Sequence, residues 1–508
     1  MDKLQQAVKD VNKLIESSQY DKAIDKILAF RSGSKVNRLV LIQVLLTTGQ
    51  KERNRELIQC ALDAFDKAKR DSVDELTYYD VATSYSELYE MSVRNDKANI
   101  FDCEDDIKRA LKYFEKANNA EPRVVTNFGN LLDEIGRPIE AIDQFDFAIK
   151  RDKGFGMAIG NKALTIERLT PIVKYQGAYQ IYAHQLYEEA LSHPKSVQDV
   201  GGDSALEIFR SQDAKIVKRF TDAGQKKLLN KSLYHERYDD SKFSPFVKFY
   251  TAFCVDKDLY LNTHIFAKAS DASISDAIIP RFVTDLSQDG KQYVNDIAFR
   301  LNEIIEAYMT ARMALVQSQY TNSDFSTISK QTLLVNPLDY SVSNIYVGHL
   351  KAAYKEAFSV LDKIAVLVNH YLDLGISEDS CYYRDVWFER NEKGEQAKPP
   401  VIAQKVKDQG ARLFGLYLLC QELCGSRYSS ARNTLTHRYL RVYRAVSGPK
   451  GTYTFEDLTK VTVDALYKVK CAIIYASLFI EANERKKHGN KGLLAKGELH
   501  TDQNLDIW

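Results

Sequence analysis

Along most of the chain apolar residues recur every three or four positions, the spacing of one face of an α-helix. The clearest runs lie in the C-terminal half. Val294, Ile297, Leu301, Ile304, Tyr308, Ala311 and Leu315 keep that spacing without a break. So do Leu350, Ala353, Ala357, Leu361, Ile364, Leu367 and Tyr371. Leu413, Leu416, Leu419 and Leu423 line a shorter helix that stops at Gly425, and Leu466, Val469, Ile473, Ala476 and Ile480 line a long final one. Gly448-Pro449-Lys450-Gly451 enforces a turn before it, and Thr454 with Asp457 makes a capping-box-like start. Each predicted helix has one apolar face, so the stable arrangement is an antiparallel bundle with these faces inward.

The N-terminal third is helical in a different way. Pro122 to Lys153 places Gly129 on a first helix, Gly136 at a turn, and Ala141, Phe145 and Ala148 on a second helix. Small residues there let two helices cross closely while Phe145 fills the gap. Ala110, Phe114, Ala117 and Pro122 repeat the spacing upstream, and Ala183, Tyr187 and Ala190 repeat it downstream. Tyr20 to Phe30 reads as the second helix of an earlier unit. This pattern resembles the tetratricopeptide repeat, whose period is about 34 residues and whose units stack into a solenoid. Insertions at 93–105 and 169–177 interrupt it. Periodicity weakens between Ser192 and Lys248. The predicted organisation is therefore repeats over 1–192, a connector over 193–248, a bundle over 249–490 and a tail over 491–508. Within the bundle, 321–340 reads as a polar loop and 390–400 as an exposed excursion.

Composition narrows the class. Ten prolines and 23 glycines in 508 residues leave little room for an all-β fold, so the expected class is all-α. Net charge is +1, so a nucleic-acid contact would be a local patch and not a whole-chain property. No apolar run approaches the roughly 18 residues of a membrane span, and no cationic, apolar leader opens the chain. The seven cysteines are scattered and odd in number, which fits a reducing cytoplasm. Cys420 and Cys424, one helical turn apart on an apolar helix, read as core residues and not as metal ligands. No GxxxxGKS, HExxH or GxSxG pattern occurs, and no metal or cofactor is expected.

One stretch stands apart. Ala431 to Arg444, ARNTLTHRYLRVYR, reads as helix, with Asn433, His437, Arg441 and Arg444 on a polar stripe and Arg432 at its edge. Leu435, Tyr439 and Val442 form an apolar stripe on another face. No Asp or Glu lies between Glu422 and Glu456, although 69 of the 508 residues are acidic. The expectation is a local positive field around a titratable imidazole, suited to a phosphate. The bland alternative is a buried histidine with Arg432 and Arg441 in ordinary salt bridges.

Arg432, a polar residue, three more residues and then His437, on an all-α bundle, resemble the HEPN superfamily of ribonucleases and nucleotide-binding domains. With the upstream FCVDKDLYLN and the DVWF at Asp385 to Phe388, the chain looks like the bacterial branch in which HEPN follows tetratricopeptide repeats. Where that branch often has an acidic residue before the histidine, this chain has Thr436. The resemblance implies metal-independent RNA cleavage by attack of a ribose 2′-OH on its own 3′ phosphate. His437 would serve as base or acid and Arg432 would hold the phosphate oxygens. Asn433 would fix the imidazole or the phosphate, and Arg438, Arg441 and Arg444 would extend the phosphate track. It also implies a homodimer through the C-terminal bundle, a protein or peptide partner on the solenoid, and a bacterial defence or toxin role. Two rivals share the site: a non-catalytic adaptor whose basic helix binds RNA or nucleotide, and a nucleotidyl-transfer or nucleotide-binding protein.

Overall fold

The computed structural model describes residues 2–30, 38–68, 73–95, 98–117, 121–174, 176–231, 239–263, 274–278, 282–284, 288–335, 338–388, 410–437, 439–444, 452–488 and 493–495. The chain is all-α with two short two-stranded pairings among these residues. Two units separate: residues 1–165 with 186–213, and residues 166–185 with 214–508. No helix among the described residues is long and apolar enough to cross a membrane.

In the first unit, helical hairpins follow one another: α1 (Asp2–Glu16) with α2 (Tyr20–Ala29), α3 (Arg38–Glu52) with α4 (Arg55–Lys67), α5 (Glu75–Arg94) with α6 (Glu104–Ala117), and α7 (Pro122–Glu134) with α8 (Pro138–Arg151). Local chemistry sets the starts. Asn54 and Asp74 cap α4 and α5 by accepting the Leu57 and Thr77 amides, and Pro122 and Pro138 occupy the first turns of α7 and α8. α3 also packs on α5, α2 on α4, and α6 on α7, so the hairpins form a stack consistent with repeats.

The small-residue spacing reads directly in this packing. Ala110, Phe114 and Ala117 on α6, Ala141, Phe145 and Ala148 on α8, and Ala183, Tyr187 and Ala190 on α10 (Gln176–Ser192) are all buried. A Cβ on Gly129 would come within 2.6 Å of the Phe145 ring, so only glycine lets α7 and α8 approach this closely. The same device recurs where the sequence had suggested weakening periodicity. Gly160 on α9 (Gly156–Leu169) faces Phe209 on α11 (Pro194–Asp222), and a Cβ there would lie 2.2 Å from the ring. α11 occupies much of the predicted connector and is broken by Gly202, whose φ of 66° lies outside the helical region.

In the second unit the stripes predicted for the long bundle helices become buried faces, with the side chain of Val294 outside the described residues. α13 (Gln288–Gln319) buries Ile297, Leu301, Ile304, Tyr308, Ala311 and Leu315; α15 (Ile345–Leu372), α16 (Gly410–Leu423) and α18 (Phe455–His488) bury every residue named for them above. α13, α15 and α18 pack mutually, and α16 lies on α18. The Thr454 hydroxyl accepts the Asp457 amide at 3.0 Å, starting α18 as predicted. Before α13 come α12 (Pro245–Asp256) and β1 (Phe282–Thr284), the latter paired antiparallel with β4 (Leu493–Ala495). The stretch 321–340 differs from its reading as a polar loop. It contains α14 (Ser323–Lys330), then a run in which Leu333, Val335, Leu338 and Tyr340 face solvent. The excursion at 390–400 and the turn at 448–451 lie outside the described residues.

The bundle is closed at one end by a buried arginine. Arg312 on α13 is 3% exposed and pairs with both oxygens of Asp276, Nη1–Oδ1 at 2.8 Å and Nη2–Oδ2 at 2.7 Å. Its Nε donates to the Tyr250 hydroxyl at 2.7 Å and its Nη1 to the Leu259 carbonyl at 2.9 Å. The Tyr260 ring lies 4.9 Å from the guanidinium carbon. A charge this deep persists because every face of it meets an acceptor or a ring.

Candidate nucleic-acid interface

α17 (Ser426–His437) carries the motif, and its packing explains its orientation. Tyr428 and Ala431 are buried against the bundle. The Tyr428 carbonyl accepts the Tyr354 hydroxyl of α15 at 2.8 Å, and the Tyr428 hydroxyl donates to Asp464 of α18. These two contacts pin the first turn. Arg432 follows on the edge of the buried face with 27% of its side chain exposed, and Asn433 faces solvent.

Arg432 sits in a three-part seat. Its Nη2 lies 3.4 Å from Asp362 Oδ2, and its guanidinium carbon lies 5.2 Å from the Tyr383 ring and 5.6 Å from the Phe358 ring. Asp362 and Phe358 are four residues apart on one face of α15. Tyr383 comes from the turn 383–387, where its amide donates to Asp362 Oδ1 at 3.1 Å and its carbonyl accepts Trp387 Nε1 at 2.7 Å. Burial raises the Asp362 carboxyl above the ordinary range, against the lowering pull of the Tyr383 amide and Arg432. Cys424 and Tyr383 are coupled by a side-chain hydrogen bond, and burial raises both groups.

α17 ends at His437, and the helix predicted through Arg444 does not continue. Residues 439–444 are extended. Tyr439 is 96% exposed, Leu440 buried, Arg441 exposed and Val442 buried. That alternation is the period of a strand, and Val442-Tyr443 form β2, paired parallel with β3 (Tyr453–Thr454). The Val342 amide also donates to the Val442 carbonyl at 2.7 Å. Asn433 and the positions Arg441 and Arg444 therefore do not form one helical stripe, and Tyr439 is not part of a core stripe. The sequence signal was short: Leu440 and Val442 flank Arg441 with a strand's period.

The structure places the site residues as follows. Arg432 and Asn433 lie on adjacent positions of α17, and His437 is its last residue. The side chain of His437 and the whole of Arg438 lie outside the described residues. Arg441 pairs with Asp339 at 3.0 Å, and Arg444 is exposed. Lys351 of α15 donates to the Leu440 carbonyl at 2.7 Å, and burial lowers its amine from the usual range. The acid-free stretch thus draws its acidic partners from elsewhere: Asp362 for Arg432, Asp339 for Arg441 and Asp464 for Arg427. The positive field expected from local composition is partly offset. Asp362, Phe358 and Tyr383 were not identified from sequence. The available signal was weak: Asp362 is one of two carboxylates on α15 and lies four residues after Phe358.

No curated protein matches the chain. Residues 289–483 match the model of the family described as LA2681-like HEPN, an interval that runs from α13 into α18 and includes Arg432 and His437, so this part of the chain is similar to that family.

Proposed function

We propose that the C-terminal bundle is a metal-independent endoribonuclease in which Arg432 and His437 do the chemistry. The observation that carries the reading is that the matched HEPN interval contains Arg432 and His437 on one helix, with the Arg432 guanidinium held in place yet open to solvent on one side. In this reaction His437 takes the proton from a ribose 2′-OH or returns one to the departing 5′ oxygen. Arg432 holds two phosphate oxygens and stabilises the extra negative charge of the pentacoordinate state. Asn433, exposed one turn before His437, hydrogen-bonds the phosphate or the imidazole. Arg438, Arg441 and Arg444 lead the backbone toward the site. One helix supplies one histidine, so two copies of the bundle facing each other complete the acid–base pair. The helical stack of residues 1–192 binds a protein or peptide that controls the cut, in a bacterial defence or toxin setting.

The ion pair between Arg432 and Asp362 favours a second reading, in which Arg432 is a packing residue and the protein binds RNA or nucleotide without cutting it. One experiment separates the two. Purified protein is incubated with total RNA in EDTA beside His437→Ala and Arg432→Lys. Cleavage lost in both variants supports the nuclease. Undiminished cleavage in both rejects this site, and binding with no cleavage by the wild type favours the adaptor.

A further inference from the structure

We infer that Asp362, with the rings of Tyr383 and Phe358, is a positioning device for Arg432: it sets where the guanidinium stands without itself meeting RNA. The inference rests on the nuclease reading of Arg432 and adds what aims it. Three features of the seat support it. The Asp362 contact is a long one, Nη2 to Oδ2 at 3.4 Å. It is also shared, because the other Asp362 oxygen is occupied by the Tyr383 amide at 3.1 Å. That amide bond fixes the carboxylate independently of the arginine. And the rings are themselves held. Tyr383 and Phe358 lie 6.1 Å apart between centroids, and the Trp387 indole that bonds the Tyr383 carbonyl is buried against Tyr417 of α16 at 5.6 Å.

Arg312 of the same unit shows what a purely structural arginine looks like in this chain: bidentate and 3% exposed. Arg432 meets Asp362 through Nη2, lies against two ring faces and has 27% of its side chain open. A guanidinium bound bidentately by its own protein is spent, whereas one steadied from behind by a carboxylate and two rings is preorganised for an incoming anion. The partner carboxylate has a second consequence. It offsets part of the arginine charge in the ground state, so the arginine gains most when the phosphate acquires its additional charge. Removing the carboxylate charge leaves Arg432 more attractive to RNA but less well aimed.

Asp362→Asn tests this, because the amide oxygen keeps the bond to the Tyr383 amide and removes only the charge. Cleavage of a defined RNA gives kcat, and binding of a 2′-O-methyl oligonucleotide, which cannot be cut, gives affinity without turnover. The expected result is kcat about tenfold lower, oligonucleotide affinity unchanged or up to about threefold tighter, and a melting temperature within about 3 °C of wild type. On an Arg432→Lys background the same substitution should change kcat less than about twofold, because its effect runs through the guanidinium. Equal losses on both backgrounds, or affinity and melting temperature falling together, would overturn the inference. Arg432→Lys impaired beside a fully active Asp362→Asn sinks the inference alone. Arg432→Lys with full cleavage and full affinity sinks the nuclease reading and this inference with it.

Discussion

Replacing Asp276 by alanine removes the carboxylate from a guanidinium that has no access to water. Arg312 is 3% exposed, and the lost contacts are two charge-assisted bonds of 2.8 and 2.7 Å. Asp276 Oδ1 also accepts the Leu261 amide at 2.5 Å, so a backbone donor loses its partner as well. Breaking one side of a buried pair costs about 3–5 kcal/mol, most of it the penalty of an uncompensated charge. Asp276 is 23% exposed on its side chain, so water can enter where it stood, and the lower end, about 3 kcal/mol, is expected. For a unit of this size, at roughly 2.1 cal/mol/K of unfolding entropy per residue, that shifts the melting temperature by roughly 4–5 °C. Trp387 is buried in the same unit and reports its unfolding by fluorescence; Trp508→Phe removes the other of the two tryptophans. The double variant Asp276→Ala with Arg312→Met should recover part of the loss, since neither charge remains. A shift under about 2 °C for Asp276→Ala, or a double variant worse than the sum of the singles, would refute the account of this charge as held by its carboxylate.

Three further outcomes follow from the same physics. Gly160→Ala should destabilise the first unit by about 1–3 kcal/mol, because a Cβ 2.2 Å from the Phe209 ring forces an overpacked contact; Gly154→Ala in the same unit, where the nearest atom to a Cβ lies at 3.5 Å, is the control in the same denaturation series. Asp80 is pushed up to about 6 by burial, with Asp74 adding to the rise and Gln43 and Arg123 opposing it. Its folded value lies above its unfolded one, so the folded state binds the extra proton and stability falls as pH rises between about 4 and 6; Asp80→Asn should flatten the denaturation midpoint across that window. Arg444→Gln should lower the salt slope of RNA binding by about one, and Arg441→Gln by less, because Arg441 already faces Asp339 at 3.0 Å; equal slopes for the two would refute the distinction.

The fold was legible because burial follows periodicity. Ile297 to Leu315, Leu350 to Tyr371 and Leu466 to Ile480 were read as single faces of long helices, and each is buried as a face. Gly129 beneath Phe145 was equally readable, since two helices can cross closely only at a residue without a side chain. Gly160 beneath Phe209 was missed, because the partners lie 49 residues apart and belong to no repeat unit recognisable by spacing. The end of α17 was missed for another reason. RYLRVYR satisfies a helical apolar spacing and a strand alternation equally well over so few residues. What decides between them is the company of Ser341, Val342 and β3, which offer the backbone an edge to bond.

The site was half legible, and two arginines show why. Arg312 and Arg432 are alike as letters, and each follows an alanine at the margin of an apolar helical face. Local sequence gave Arg432 no acidic neighbour and so marked it as free for a phosphate. Its carboxylate, Asp362, lies 70 positions away on α15, and that of Arg312 lies 36 positions away before α13. Neither pairing follows from spacing, because each joins distant segments that meet only once the bundle closes. What distinguishes the two is how completely each guanidinium is consumed. Arg312 gives bonds to Asp276, Tyr250 and Leu259 and is sealed. Arg432 meets Asp362 and two rings and keeps part of its side chain in water. An acid-free stretch of sequence is therefore a poor guide to a bare positive charge; partial exposure combined with partial neutralisation is the better one, because it leaves a cation both fixed in direction and able to accept another anion.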